Sequence, residues 1–316
     1  MKKVDIAYIL MLLFILCGCE ADNGQSETRF VMDTVVTLTA DCDSETLNGA
    51  FELCEGYDKL LSRTDTDSEV YRLNNSEGFV SVSEDTVKII ERSLYFSELS
   101  GGKFDITVCP VSELWDFNNQ VIPSKDEIAE ALKNIDYEDI EIKDSTVNLN
   151  GKKIDLGGIA KGYVADEIAS FFKEKGVKKG IVNLGGNVAV FGEEYNVGIK
   201  RPFGDDVIAV IRLRDKSAVT AGIYERYIKS GDKIYHHIID PETGYGVENE
   251  LASVTVIGDS SLECDALSTV CMLLGKEKAT EIIENQTDTQ AVFIDRSGNI
   301  TLTAGLYMKK NTIYLK

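Results

Sequence analysis

Two histidines, four prolines and one tryptophan are all that a chain of 316 residues holds of those types. With only His236 and His237 available, the composition argues against a zinc site of the Cys/His kind, and any metal should take oxygen ligands. So few prolines leave no Pro-, Gly- and Ser-rich linker to divide the chain into separate domains. Positive charge is also short. Lys and Arg total 33 against 53 Asp and Glu, a formal net charge of −20, which argues against nucleic acid or an anionic lipid surface as an electrostatic partner. The G-x-x-x-x-G-K-S/T and G-x-G-x-x-G phosphate loops are missing, as is C-x-x-C spacing.

The one sustained apolar run, Ile6 to Leu16 behind Lys2 and Lys3, is shorter than the roughly 20 residues of a membrane span. It is shaped like a secretory signal. It ends in Leu16-Cys17-Gly18-Cys19, which resembles a bacterial lipobox and implies cleavage before Cys19 with a lipid on its thiol. An ordinary signal peptide or an uncleaved anchor is the alternative. The expected organisation is residues 1–18 as signal, 19–29 as tether and 30–316 as the functional domain, one large unit or two intimately joined lobes. Loss of Lys2, Lys3 and Asp5 leaves 31 basic and 52 acidic residues, a net charge of −21, so the lipid and not charge would hold the protein at the extracytoplasmic face. Cys42, Cys54, Cys109, Cys264 and Cys271 remain, an odd number that points to free thiols.

Periodicity places helices over Ser44–Leu61 with Ser44 as N-cap, Ser83–Leu99, the stretch opened by Pro123-Ser124, the run after the glycines through Tyr163, Val164, Ile168 and Phe171 to Gly176, Ser261–Leu274 and Ala279–Asn285. Ser124 and Glu127 make a capping-box pattern. Strand-like runs are Phe30–Ala40, Gly180–Leu184, Tyr195–Ile199, Val207–Leu213, Lys233–Ile239 and Leu251–Ile257. Asn150-Gly151 reads as the turn of a hairpin between Val147–Leu149 and Lys153–Leu156, and Asp295 to Gly298 as that of a closing hairpin. Leu-Gly-Gly at 156–158 and 184–186 hints at a duplication. Strands in runs with few intervening helices give an α+β fold, with mixed, largely antiparallel sheets and flanking helices.

Four constellations carry chemistry. Asp155-Leu156-Gly157-Gly158 leads into a helix bearing Lys161, where free N–H groups and the dipole suit a phosphate, or simply make a tight turn with a solvated lysine. Asp265 and Thr269, four apart on one helical face, offer two oxygens to a hard cation such as Mg²⁺, unless Asp265 merely complements the dipole. His237, before Asp240-Pro241-Glu242-Thr243-Gly244, is a general-base candidate or a core histidine. Gly101-Gly102-Lys103-Phe104-Asp105 with Trp115 and Phe117 suits a flat heteroaromatic ring, or is a helix C-cap before a core segment.

In order along the chain, Met32-Asp33-Thr34, Asp67-Ser68-Glu69 with Leu73-Asn74, Gly102 to Thr107, Asp155 to Asp166, Asn183 to Asn187, His237 to Gly244 and Asp265 to Thr269 together resemble the FAD:protein FMN transferases, the ApbE family. The resemblance spans residues 30 to about 306 and implies an ApbE-like, T-fold-related architecture. It also implies an Mg²⁺-dependent transferase that cleaves FAD and passes FMN to a threonine hydroxyl of exported flavoproteins of respiratory complexes, releasing AMP. It assigns the metal to the Gly158 carbonyl, the Asp265 and Thr269 side chains and the Ser268 carbonyl. Flavin-nucleotide contacts fall to Met32, Lys103, Phe104, Asp105, Asp155, Lys161 and Ile239. His237 is nominated as the base, with Asp240 and Asp155 as other candidates. Thr64 stands where some members have an aromatic, and Ala221-Gly222-Ile223-Tyr224 replaces Ser-Gly-Asp-Tyr. The rivals are an FAD pyrophosphatase with water as nucleophile, a lipoprotein that only captures flavin, and an anchored structural subunit without flavin affinity.

Overall fold

The protein is described by a computed structural model covering residues 24–316, so the signal sequence and Cys19 lie outside the described residues. The alternation through residue 40 belongs to two strands and not one: β1 (Gln25–Val31) and β2 (Thr34–Ala40) pair antiparallel, joined through Met32 and Asp33, both at φ 55°. That is the left-handed pair a two-residue hairpin requires. Because β1 starts at Gln25, the stretch read as tether is part of the sheet from there on.

Helix α1 (Ser44–Leu61) is capped by Asp43, whose carboxylate accepts the Thr46 N–H at 2.8 Å, one residue ahead of the expected cap. Short α2 (Glu69–Asn74), strand β3 (Val80–Ser81) and α3 (Glu84–Leu99), capped by Ser83, follow. Then come α4 (Cys109–Ser112) and α5 (Lys125–Ala131), the latter opened by the Ser124/Glu127 capping box. Strands β4 (Glu141–Lys143) and β5 (Thr146–Asn148) join β3 in a small sheet, so the hairpin turns at Asp144-Ser145. Asn150-Gly151 is a turn but no hairpin follows it. Asn74 occupies the place of a partner strand, its side-chain amide bonding both the Ile154 N–H (2.7 Å) and C=O (2.9 Å).

The remaining elements are α6 (Ala160–Glu174), β6 (Gly180–Leu184), β7 (Asn187–Lys200), β8 (Val207–Gly222), β9 (Tyr227–Ser230), β10 (Lys233–His236), β11 (Leu251–Gly258), α7 (Ser261–Leu274), α8 (Lys276–Glu284), β12 (Gln290–Asp295), β13 (Ile300–Leu302), β14 (Leu306–Lys309) and β15 (Thr312–Leu315). Among the described residues ten strands form one sheet, ordered β1-β2-β6-β7-β8-β11-β12-β13, with β15 joining β8 in parallel and pairing β14. Every other pairing in it is antiparallel.

One sheet face carries Leu38, Val182, Leu184, Val254 and Val256 against Phe51 of α1, Val164, Ile168 and Phe172 of α6, and Leu267 and Val270 of α7. The other packs Ile211, Leu213, Ile257, Val292 and Ile313. All of β11 is buried, which suits a strand covered on both faces. The five cysteines in the described residues are free thiols, four of them buried. The two Leu-Gly-Gly triplets are not structural repeats: Gly185 and Gly186 have φ of 63° and 99° in the β6–β7 turn, whereas Gly157 and Gly158 lie in the approach to α6 without positive φ.

Candidate active site

The site forms where α6 crosses α7. Gly162, in the first turn of α6, is why the crossing can be so close: a Cβ there would stand 2.4 Å from the Ser261 carbonyl oxygen and 2.7 Å from the Asp265 Cβ. We expect Gly162→Ala to force the helices apart, costing about 1–3 kcal/mol, to be read as a lowered melting temperature. Asp166, one turn on, caps α7. Its carboxylate accepts the Ser261 and Leu262 N–H groups at 2.8 and 3.1 Å and the Ser260 hydroxyl at 2.8 Å. Helix α7 is thereby set in register with the start of α6.

Asp265 is 6 % exposed, and one of its oxygens accepts the Gly162 N–H at 2.8 Å. Burial raises its pKa, with Lys161 the largest opposing influence. Asn187, at the start of β7, is buried beside it and takes the Ser261 hydroxyl on its carbonyl oxygen. The Asn187 amide nitrogen makes no well-formed hydrogen bond, although it is near enough to favour the charged carboxylate. Thr269 and Gly158 face each other, since a Cβ on Gly158 would be 3.7 Å from the Thr269 hydroxyl and 3.1 Å from the Phe104 ring. The Ser268 hydroxyl donates to the Asp265 carbonyl at 2.8 Å and steadies this turn. These donors are all hard oxygens with a single carboxylate. No group of three or more His, Cys, Asp or Glu side chains arranged for a metal occurs among the described residues. A buried, under-compensated anion beside a hydroxyl fits Mg²⁺, which keeps phosphate or water as its other ligands, better than a cation that needs a full protein cage.

Lys161 donates to the Gly157 carbonyl at 3.0 Å and acts electrostatically on Asp265, His237 and Glu225. His237 lies after β10. Its backbone N–H and Nδ1 both reach the Arg226 carbonyl, at 3.2 and 3.3 Å. A carbonyl only accepts, so Nδ1 carries the proton and Nε2 keeps a free lone pair. Burial and, next, the charges of its neighbours lower its pKa to about 3. His236 has different partners: its Nε2 donates to the Val247 carbonyl at 3.0 Å, and burial brings its pKa to about 4. The cavity lined by Asp232, Lys233, His236, Glu248, Asn249 and Arg296 shares no residue with the set nominated for the site.

Of the other nominated residues, Phe104 and Asp155 touch the approach to α6. Met32 sits in the β1–β2 turn, which the Arg226 guanidinium reaches through the Asp33 carbonyl at 3.4 Å. Asp155 accepts the Gly157 N–H at 2.9 Å and the Ser112 hydroxyl at 3.2 Å, shaping the approach to α6. Phe104 is buried, edge-on to Phe96, with its ring against Gly158. Asp105 is committed locally, accepting the Thr107 N–H and hydroxyl at 2.7 and 2.6 Å. Lys103 pairs with Asp240 at 3.0 Å and Glu242 at 2.8 Å. Burial alone would lower the Lys103 pKa; the two carboxylates outweigh it and raise it. Ile239 bridges to Gly246 and belongs to the Trp115 cluster with Val111, Ile128 and Ile228.

Sequence reasoning gave no individual role to Gly162, Asp166 and Asn187, although all three lie in the motifs quoted for the resemblance, and it did not single out the Glu225-Arg226 pair. Glu225 is exposed in area yet hemmed in by Lys200, Lys161 and Arg226, and desolvation raises its pKa. A carboxylate thus stands within electrostatic reach of Lys161 on the loop that has Ile223 in place of the aspartate of Ser-Gly-Asp-Tyr.

Residues 32–293 match the model of the ApbE family. A Klebsiella pneumoniae protein named FAD:protein FMN transferase is 32% identical over 83% of this chain and 86% of its own length. A Treponema pallidum protein of the same name is 30% identical over 94% and 93%. Among solved structures, the ApbE protein of Thermotoga maritima superposes with a TM-score of 0.82 at 31% identity, covering 89% of this chain and 97% of its own. The flavin transferase ApbE of Vibrio cholerae gives 0.79 at 25% identity, over 89% and 97%.

Proposed function

The chain belongs to the ApbE family, and from that premise we propose that it is an Mg²⁺-dependent FAD:protein FMN transferase that releases AMP. The observation carrying this reading is the convergence of Gly158, Lys161, Asp265 and Thr269 at the α6–α7 crossing. The Asp265 carboxylate and Thr269 hydroxyl would hold the metal, with the Gly158 and Ser268 carbonyls. When bound, Mg²⁺ neutralises charge on the pyrophosphate oxygens. Lys161 adds a second cation on the same side. Met32, Lys103, Phe104, Asp105, Asp155 and Ile239 supply the surroundings of the flavin nucleotide. The threonine oxygen bonds to the FMN phosphorus, the bond from that phosphorus to the AMP oxygen breaks, and the hydroxyl proton passes to Nε2 of His237. That nitrogen is neutral in the free site, and the approach of an anionic pyrophosphate raises its proton affinity. The test is product stoichiometry: FAD, Mg²⁺ and a threonine-bearing acceptor should give one AMP per FMN adduct. AMP without adduct would make the protein a pyrophosphatase, and FAD binding without AMP would make it a carrier.

The protein acts outside the cytoplasm on exported flavoproteins in this reading, held by a lipid on Cys19. Among the described residues no helix is long and apolar enough to cross a membrane. Cys19→Ser should release the protein into the soluble fraction with the domain's activity intact. Unchanged membrane retention and unchanged precursor processing would refute the anchor.

A further inference from the structure

The loop between β7 and β8 presents an aromatic side chain in a conformation that aromatic residues avoid. Phe203 has φ 57° and is 48% exposed, although Gly204, which would take that conformation without cost, is its neighbour. The loop is rigidly built. The Arg201 guanidinium forks onto the Asp206 carboxylate at 2.8 and 2.9 Å, the Arg201 N–H donates to the Asp206 carbonyl at 2.8 Å, and the Gly204 N–H to the Arg201 carbonyl at 3.0 Å. The Phe203 ring rests edge-on against Tyr224 and Tyr227, with centroids 6.0 and 5.5 Å away, and Tyr227 is itself 39% exposed. A braced loop that holds a half-exposed ring in a strained backbone state invites a functional explanation.

Its position supplies one. Tyr224 and Tyr227 bracket Glu225 and Arg226, and the Arg226 carbonyl is the group that orients His237. Tyr227 pairs with His236, the residue before His237, so a hydroxyl delivered to His237 in the proposed reaction arrives near this bracket, carried by the polypeptide it belongs to. We infer that Phe203 and Tyr227, backed by the buried Tyr224, form the rim on which the acceptor polypeptide docks, taking an apolar side chain of an extended segment next to the acceptor threonine. Exposed aromatics with few rotatable bonds are suited to such contacts. The inference rests on the transferase reading.

The experiment compares the unaltered protein with F203G, F203Y and Y227A, using a flavin-free exported flavoprotein domain as acceptor. Flavin fluorescence with Mg²⁺ present measures FAD affinity separately. Glycine accepts φ 57° and so removes the ring without adding backbone strain. F203G and Y227A should each raise the acceptor KM about tenfold, with the rate at saturating acceptor and the FAD affinity unchanged, and F203Y should behave like the parent. An unchanged acceptor KM in both ring-removing variants would overturn the assignment. So would an equal loss of FAD affinity, which would make the rim a flavin platform. If the unaltered protein binds FAD yet forms no adduct, the transferase reading itself fails, and the rim assignment with it.

Discussion

Asp265→Asn should give a folded protein that has lost the proposed Mg²⁺-dependent turnover of FAD. The amide keeps an oxygen that can accept the Gly162 N–H now bonded at 2.8 Å, so the α6–α7 crossing is preserved while the only carboxylate of the nominated metal set is neutralised. Even groups that merely support metal ligands contribute 10–100-fold in affinity or activity, so loss of the anionic ligand should exceed about 100-fold at limiting Mg²⁺. Stability should move little or upward. Burial raises the Asp265 pKa, so the fold disfavours the charged form at neutral pH, and asparagine carries no such charge. A helix-dipole role would produce the opposite pair of results, normal turnover and a lower melting temperature. Turnover as a function of Mg²⁺, together with a melting curve, separates the two.

His237→Ala should lower the transfer rate by about 10²–10⁴-fold at saturating FAD, the usual contribution of a positioned general base. FAD should bind almost as before, and the deficit should shrink at high pH, where hydroxide can replace the imidazole. His236→Ala is the control. That ring is 2 % exposed and bonded to the Val247 carbonyl, so its loss should appear in stability and spare the transfer step. The pH dependence of stability has a definite sign. Both imidazoles have folded pKa values, about 3 and about 4, below the unfolded value near 6.5. Their contribution is therefore complete above pH 6.5 and is lost as pH falls from there toward 4 and then 3. His237→Ala should flatten part of that acid limb in a series of melting curves. Equal losses of transfer in the two variants would indicate damage to the segment after β10 and not a base.

Much of this was legible in the sequence where local chemistry and periodicity agree. Ser83 and Ser124 mark their helices because hydroxyl caps serve free N–H groups nearby, and α7 announces itself by its apolar spacing and by Ser260, which accepts the Glu263 N–H. The pairing of Asp265 with Thr269 needed only the helical repeat. What could not be read depended on distant partners. Met32 and Asp33 turn the chain although neither is glycine, and the Gly185 loop packs so tightly on Thr34 that a Cβ would lie 1.9 Å from its hydroxyl oxygen. Asn150-Gly151 carried the right turn residues, but Asn74, far away in sequence, claimed the next stretch's hydrogen bonds. Gly162 and Asp166 look like ordinary helix residues until α7 is laid across them. Nor does the motif that marks Lys103 and Asp105 as flavin contacts disclose their partners in the fold, Asp240 and Glu242 for the lysine and Thr107 for the aspartate.

In the proposed reaction the α6–α7 crossing uses Mg²⁺ to move FMN onto another protein. The decisive measurement is intact-mass analysis of a threonine-bearing, flavin-free acceptor domain after incubation with FAD and the protein. The expected result is a mass gain of one FMN unit located on the threonine, abolished by chelating Mg²⁺, by Asp265→Asn and by replacing the acceptor threonine. An adduct that forms equally well with chelator present or with Asp265→Asn would contradict it, as would an acceptor left unmodified while FAD is consumed.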